Sequence, residues 1–404
     1  MNRIILIGNG FDLAHNMKTS YKEFLLFYWD SLLKEVKKHA GEPKFDTLDF
    51  LIIDVPSNNN YDNTYESFFN QLNYSGSRII FHNHFLKRIT EKSHLNNWVD
   101  IENEYYLSLK EIINKPERSP YNKVEELNRE FNQIKVKLIE YLLSIETDFD
   151  KEFNNLHLKS EIGNKIYSPF NLKDFTEDVL NTIVENEYNK SLKEESEYIN
   201  MESVPSNSDS INKKKEIRNE LLEENAYESI DLLPKRILFL SFNYTSTDLI
   251  YYDYRKYMRL RYDIIIENEF IHIHGSLRKE DENPIIFGFG DELDDDYNKI
   301  EQLNNNEYLE NIKSIKYSET DNYKKLLEFI NDDNYQIFVM GHSCGISDRT
   351  LLNTLFSHKN CGSIKTFFHK RDDQNDNFSD LVKNISRNFK DKAMMRDGVV
   401  NEVV

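Results

Sequence analysis

Apolar and polar residues follow two different patterns along the chain, and the difference divides the chain into regions. Short apolar runs, of the kind that form buried strands, occur at the N-terminus and again after about residue 233. They are Arg3–Ile7, Arg236–Leu240, Asp263–Ile266, Phe270–Ile273, Pro284–Phe287, Gln336–Met340 and Ser363–Phe368. The later runs alternate with helical patterns. The sequence therefore predicts an α/β fold, with a Rossmann-like, mostly parallel sheet and helices on both faces.

Over residues 41–232 the spacing of the apolar residues changes to that of helices. Val124–Ile145 predicts an amphipathic helix whose apolar residues, three or four apart, face a core: Leu127, Phe131, Ile134 and Leu138. Ser191–Lys215 is polar and contains PSNSDS, which predicts a mobile loop or linker. We expect residues 1–40 and 233–404 to form one α/β domain, which a mainly helical insertion at 41–232 interrupts.

Composition excludes several classes of protein. The 404 residues are enough for the cores of about two to three domains. With only Cys344 and Cys361, the chain has neither a disulfide framework nor a four-cysteine zinc ribbon. A formal net charge of -19 argues against broad, non-specific binding to nucleic acid. Because no run of eighteen apolar residues and no signal peptide are present, we expect a soluble, cytoplasmic protein.

The first apolar run ends directly in GNGFD. Two glycines after a buried strand allow a phosphate to approach the backbone, and a following helix N-terminus offers N–H groups to it. The pattern predicts a nucleotide site formed by Gly8, Asn9, Gly10, Phe11 and Asp12. The third glycine of the dinucleotide fingerprint is missing, so a tight turn without a ligand explains the residues equally well.

Two polar clusters follow later strands. In SFNYT, Asn243 can hold a ribose hydroxyl or a water, or it can cap the next helix. In HIHGS, strand alternation predicts that His272 and His274 lie on one face. His274, which Gly275 follows at a turn, is the candidate general base. A structural histidine and a metal-binding pair are the alternatives.

A third cluster, GHSCGISD, follows Gln336–Met340. Its first five residues fit the G-x-S-x-G nucleophile elbow of serine hydrolases, but the acid and histidine of a triad do not follow in the required order. The favoured alternative is a nucleotide-binding turn in which Gly341 and Ser343 contact the ligand. Ser347 or Asp348 would then cap the next helix.

Two further segments contain polar residues that could serve a site. FGFGDE, at residues 287–292, predicts a turn beside the ligand crevice with Asp291 as a candidate hydroxyl ligand. NNWVDIENEY, at residues 96–105, predicts the start of a helix that Asn97 or Asp100 caps.

Together these segments resemble the bacterial abortive-infection AbiH family. The resemblance covers essentially the whole chain and rests on ILIGNGFDLAHNMKTSYKEF, WVDIENEY, SFNYT, HIHGS, IFGFGDE and GHSCGISDRTLL. The order of these motifs also resembles a diverged sirtuin-like NAD-binding domain. That resemblance implies that Gly8 and Gly10 form the phosphate turn, Asn243 holds the ribose and a water, His274 is the base, and Gly341 with Ser343 forms the ribose turn. Thr245 replaces an aspartate of the sirtuin motif, and the zinc ribbon is absent.

The resemblance implies an antiphage abortive-infection effector that binds NAD and hydrolyses its nicotinamide–ribose bond, with Asn243 and His274 as catalytic residues and no metal. A phage-derived trigger would switch on the activity, and the insertion is the candidate sensor or homo-oligomer surface. A nucleotide-binding sensor without catalysis and a serine hydrolase that uses Ser343 are the alternatives. Gly275 and Asp348 are also assigned to nucleotide binding in the leading interpretation.

Overall fold

The computed structural model of the protein describes residues 1–57, 61–96, 99–152, 155–198, 207–223, 232–252, 266–369 and 376–401. Its strands are β1 (Asn2–Ile7), β2 (Lys44–Asp46), β3 (Phe50–Ile53), β4 (Arg78–Phe81), β5 (Arg236–Ser241), β6 (Glu267–His272), β7 (Tyr335–Met340) and β8 (Cys361–Phe367). The helices before β5 are α1 (Asn9–Ala14), α2 (Tyr21–Lys38), α3 (Tyr65–Ser75), α4 (His84–Asn96), α5 (Ile101–Asn114), α6 (Val124–Glu152), α7 (Leu156–Ile166), α8 (Glu177–Tyr198) and α9 (Asn207–Leu221). Those after β6 are α10 (Asp295–Gln302), α11 (Lys313–Lys316), α12 (Asn322–Asp332), α13 (Arg349–Phe356), α14 (Phe378–Asn388) and α15 (Lys392–Gly398).

Five strands form one parallel sheet in the order β6-β5-β1-β7-β8. Leu6 at the centre of the sheet is in register with Leu240 of β5 and Val339 of β7. Numbered by their order within this sheet, the strands run 3-2-1-4-5, which is the strand order of Rossmann folds. The predicted α/β class is therefore confirmed.

Both faces of the sheet are buried, because its central strands are apolar at successive positions. One face contributes Ile4, Leu6, Leu238, Leu240, Ile337 and Val339 to a core that also includes residues of α12 and α13. The other face contributes Ile5, Ile7, Ile237, Phe239 and Phe338, which pack with Tyr167 and Tyr251. Burial of each such side chain stabilises the fold by about 1.5–3 kcal/mol.

The region between β1 and β5 packs in two places. Helices α2 to α6 share an aromatic core with the small antiparallel sheet β2-β3-β4, and the predicted amphipathic helix is confirmed as α6. The C-terminal end of α7 instead packs on the large sheet through Ile166. The N–H of Thr176 also donates to the carbonyl of Gly362 in β8. Helix α2 thus packs with the insertion, and one part of the predicted insertion, around Ile166 and Thr176, packs on the large sheet.

Several element predictions need correction or lie outside the described residues. Pro284–Phe287 is not a strand but an extended segment, in which the N–H of Ile286 donates to the backbone carbonyl of His274. The predicted loop at Ser191–Lys215 is helical over residues 191–198 and 207–215, because α8 and α9 pack together, with Tyr188 bonded to Ser210 at 2.8 Å. Residues 263–265 and 199–206 lie outside the described ranges. Within those ranges, none of the helices is long and apolar enough to cross a membrane.

The turns after β1 and β7 are in backbone contact. The N–H of Gly10 donates to the carbonyl of Gly341 at 2.8 Å, and the N–H of Gly8 donates to the carbonyl of Met340. Gly341 has a φ of 78°, and a Cβ added to it would lie 2.0 Å from the backbone nitrogen of Phe11. A side chain therefore cannot be accommodated at Gly341 while the two turns touch.

We expect Gly341→Ala to lower the free energy of unfolding by about 3 kcal/mol or more, because it adds a backbone clash to an unfavourable φ. Gly76→Ala is the matched control. Gly76 has a φ of 75° but nothing lies within 4 Å of its added Cβ, so we expect a loss of about 1 kcal/mol. Urea unfolding of both variants measures the difference. Equal losses would contradict the contact between the turns.

Candidate functional site

Polar side chains that follow β5, β6 and β7 lie at the carboxyl edge of the large sheet. Asn243 follows β5, His274 follows β6 and His342 follows β7, while Asp348 lies just before α13. All four residues are buried. Ligands of open α/β sheets bind outside the carboxyl ends of the strands, so the location is that of a nucleotide site.

Asp348 is the centre of a buried cluster. Its Oδ1 lies 2.7 Å from Lys313 Nζ and 3.4 Å from His274 Nε2, and its Oδ2 lies 3.5 Å from His342 Nε2. Burial by itself raises the pKa of a carboxyl, but here Lys313 and the two histidines reverse the effect and hold the pKa of Asp348 well below its usual value. Asp348 is therefore ionised at neutral pH.

The Lys313 side chain is fully buried and has a second carboxylate partner in the insertion. Its Nζ lies 2.9 Å from Glu102 Oε2, and Glu102 lies in α5. The other Glu102 oxygen accepts the N–H of Gly288 at 3.1 Å. Burial opposes the charge of Lys313, but Asp348 and Glu102 raise the pKa of the ammonium, while burial raises the pKa of Glu102 to about 7. One cation thus joins the sheet edge to the insertion.

The protonation state of His342 follows from its partners. Its Nδ1 accepts the backbone N–H of Cys344 at 3.0 Å, so that nitrogen carries no proton in the neutral ring. The proton of the neutral imidazole then lies on Nε2, which faces Asp348 Oδ2. His342 is thereby oriented as a hydrogen-bond donor to Asp348.

His274 is enclosed by aromatic rings. It packs edge-on against Phe242 at a centroid distance of 5.0 Å, and its Nε2 lies 3.2 Å from the hydroxyl of Tyr317. Burial, and secondarily the charge of Lys313, lowers the pKa of His274 to about 3. The imidazole is therefore neutral at physiological pH, the form in which a histidine accepts a proton.

His272 does not share a face with His274, contrary to the expectation from strand alternation. Its Nε2 lies 3.1 Å from Asp248 Oδ2, and its Nδ1 lies 3.3 Å from the carbonyl of Asn243. Alternation fails because β6 ends at His272 and the chain turns before Gly275, whose φ is 92°. Both partners of His272 are acceptors, an arrangement that favours the doubly protonated ring. Burial opposes that charge, but Asp248 raises the pKa of His272.

The predicted phosphate turn is occupied by contacts within the protein. The N–H groups of Gly8 and Gly10 donate to carbonyls at the end of β7, as described above, and Phe11 lies in the core. Asp12 is 1% exposed, and Thr245 Oγ1 donates to it at 2.7 Å. Asn9 donates to Thr19 at 2.8 Å. In this conformation the amides of Gly8 and Gly10 do not point at a ligand site.

Asn243 is joined to the same turn. Its Nδ2 donates to the carbonyl of Gly8 at 3.0 Å, so its side chain faces the N-terminal glycine turn. Asn243 and His274, the predicted catalytic pair, have different partners, since His274 contacts Phe242, Tyr317 and Asp348. Adjacent strands thus present the two side chains in separate hydrogen-bond networks.

The turn after β7 differs from a hydrolase elbow and from the predicted cap. Cys344 has a left-handed backbone conformation, with a φ of 53°, whereas the exposed Ser343 does not. Asp348 occupies the N-cap position of α13, but its side chain makes no capping hydrogen bond because the carboxylate binds Lys313. The predicted capping role of Asp348 is therefore wrong. Ser347 does not occupy the N-cap position.

The remaining predicted residues support the site from its surroundings. Asp100 caps α5 by accepting the N–H of Asn103 at 3.0 Å, which confirms one of the two predicted caps, while Asn97 lies outside the described ranges. Asp291 accepts from Arg349 at 3.2 Å. A cavity of about 700 Å³ lies in the insertion, and another of about 450 Å³ lies between α2, α3 and α4; neither is lined by residues of the cluster. In the part of the chain that the structure describes, no group of three metal-ligating side chains could hold a metal ion.

The sequence patterns do not identify Lys313, Glu102 and Tyr317 as part of the site. Glu102 lies in the WVDIENEY segment, which was interpreted only as a helix start. Lys313 is separated from Asp348 by 35 residues and from Glu102 by 211, so no local pattern marks it.

Comparison with known proteins gives one match. The family model for bacteriophage abortive infection AbiH matches residues 4–370, a range that includes the whole cluster around Asp348. Comparison with curated proteins and with solved structures gives no match. The resemblance to sirtuins rests on the sequence motifs alone.

We expect Lys313→Met to lower the free energy of unfolding by about 3–5 kcal/mol at pH 7, because it leaves buried carboxylates without their cation. The loss should shrink as the pH falls, since protonation then neutralises Asp348 and Glu102. Lys299→Met, which changes a mostly exposed ion pair with Asp296, should leave stability almost unchanged. Urea unfolding at several pH values tests this. A Lys313→Met loss as small as the control would contradict a buried ion pair.

The pH dependence of stability tests the His272–Asp248 pair. Because the folded-state pKa of His272 is raised, its contribution is fully present below its unfolded pKa of about 6.5 and is lost as the pH rises through the folded pKa. The stability difference between wild type and His272→Gln should therefore shrink above that range. The exposed His39→Gln variant controls for the loss of an imidazole. A difference that grows with pH would show that His272 is neutral in the fold.

Proposed function

We propose that this chain, which belongs to the bacteriophage abortive-infection AbiH family, acts in phage defence by hydrolysing the nicotinamide–ribose bond of NAD. The supporting observation is the position of Asn243, His274, His342 and Asp348 at the carboxyl edge of a parallel sheet of Rossmann order. That edge is where such sheets bind nucleotides.

The proposed reaction breaks the bond between nicotinamide and C1′ of the ribose and forms a bond from C1′ to a water oxygen. Nicotinamide leaves with the electron pair of the broken bond, and the water loses one proton. The transition state is oxocarbenium-like, as in glycoside cleavage. The protein must position the water and accommodate the developing charge.

The cluster contains groups suited to these tasks. Asn243 would orient the ribose or the water through its amide. His274 would take the proton, because it is neutral at pH 7, and Asp348 lies 3.4 Å from its Nε2 to stabilise the imidazolium that forms. Lys313 keeps Asp348 ionised for this role.

The contact between the β1 and β7 turns corresponds in this proposal to a resting form. The pyrophosphate of NAD reaches the amides of Gly8 and Gly10 only after their hydrogen bonds to Met340 and Gly341 are broken. A phage-derived trigger would separate these turns. An effector that consumes NAD needs such an inactive form, because uncontrolled hydrolysis would harm the uninfected cell.

Release of nicotinamide from NAD tests the proposal. Protein purified from phage-infected cells should release nicotinamide, and protein from uninfected cells should release much less. His274→Gln and Asn243→Ala should each lower the rate by about 100-fold or more, because a proton acceptor or a positioning amide is lost. Lys299→Met, which changes a mostly exposed ion pair in α10, should keep the activity.

Other outcomes support the alternatives. NAD that binds to the activated wild-type protein without nicotinamide release would indicate a nucleotide sensor. Loss of activity in Ser343→Ala alone, with an active-serine probe attached to Ser343 in the wild type, would indicate a hydrolase. Thermal unfolding of each variant distinguishes lost chemistry from lost fold.

A further inference from the structure

Two amides of α14 hold the turn that carries His342. Asn384 Nδ2 donates to the carbonyl of Ser343 at 2.8 Å, and Asn388 Nδ2 donates to the carbonyl of Cys344 at 3.0 Å. Because the two asparagines are four residues apart, they lie on one face of the helix. Asn388 is buried, and its Oδ1 has no hydrogen-bond partner among the described residues. The Asn388 side chain therefore stabilises the turn through its Nδ2 donor and not through its Oδ1 acceptor.

The carbonyl that Asn388 binds belongs to a residue with unusual backbone geometry. Cys344 has a φ of 53°, a left-handed conformation that costs free energy for any residue with a Cβ. Its side chain is buried in the core that Ile4, Leu6 and Leu238 form on one face of the large sheet. The hydrogen bond from Asn388 compensates for part of this cost and holds the peptide plane that follows Cys344.

The φ of Cys344 sets the direction of its N–H relative to its side chain and carbonyl, which the core and Asn388 hold in place. In the observed turn this N–H donates to His342 Nδ1, and His342 Nε2 faces Asp348. If Cys344 left the left-handed region, Nδ1 would lose its donor and could carry the proton itself. Only the 3.5 Å contact between His342 Nε2 and Asp348 Oδ2 would then favour the proton on Nε2, so part of His342 would take the other tautomer.

We propose that Asn388 is a positioning residue that keeps the proton of His342 on Nε2 by holding Cys344 in its left-handed conformation. The chain of contacts runs from the Asn388 amide to the Cys344 carbonyl, from the Cys344 N–H to His342 Nδ1, and from His342 Nε2 to Asp348. The consequence for catalysis rests on the proposed function, but the tautomer of His342 does not.

Nitrogen NMR of protein labelled with ¹⁵N-histidine measures the tautomer, and His342→Gln assigns the signals of His342. The wild type should show a protonated Nε2 and an unprotonated Nδ1. Asn388→Leu, similar in size but without a donor, should convert part of His342 to the other tautomer. Asn384→Leu is the matched control on the same helix face, and it should leave the His342 tautomer unchanged.

A second substitution tests the mechanism directly. Glycine adopts positive φ without the cost of a Cβ, so Cys344→Gly combined with Asn388→Leu should restore the Nε2 tautomer. An unchanged tautomer in Asn388→Leu, or an equal change in Asn384→Leu, would overturn the proposal. If Asn388→Leu does not fold, the double variant decides: folding with the Nε2 tautomer supports the proposal, and failure to fold contradicts it.

Nicotinamide release by the same variants separates the two proposals. Loss of activity in Asn388→Leu and recovery in the double variant would support both. A tautomer that changes as expected in a protein whose activated wild type releases no nicotinamide would uphold the role of Asn388 and refute the proposed function.

Discussion

The buried ammonium of Lys313 is the interaction on which the carboxyl edge of the sheet depends. It lies between Asp348 and Glu102 and compensates charges that would otherwise cost several kcal/mol to bury. Asp348 is thereby ionised, and His274, which follows β6, and His342, which follows β7, both face its carboxylate. Because Glu102 belongs to α5, the same ion-pair network joins the insertion to the site. A movement of α5 would therefore change the electrostatic surroundings of Asp348 through Lys313.

A second constraint acts on the backbone. Gly8, Gly10 and Gly341 allow the turns after β1 and β7 to touch, and the hydrogen bonds of that contact use the amides that a Rossmann fold offers to phosphate. Under the proposed function, the small size of these glycines serves both the closed form and a ligand-bound form.

The sequence allowed prediction of the features that are local. Apolar runs predicted the strands of the large sheet, and helical spacing predicted α6. The positions of Asn243 and His274 at strand ends followed from the same reasoning. Prediction failed where the role of a residue depends on distant partners: Lys313 binds carboxylates that lie 35 and 211 residues away in the sequence. Strand alternation also failed for His272 and His274, because β6 ends at His272 and their side chains point to different partners. The small sheet was missed because its strands are three or four residues long.

A crystal structure of NAD bound to His274→Gln protein from phage-infected cells tests the central claim most directly. We predict that the nicotinamide ribose lies at the carboxyl ends of β5 and β6, within hydrogen-bond distance of Asn243, and that the Gly10–Gly341 contact is broken. NAD bound in the insertion, or an edge of the sheet that stays closed and empty at saturating NAD, would contradict the account.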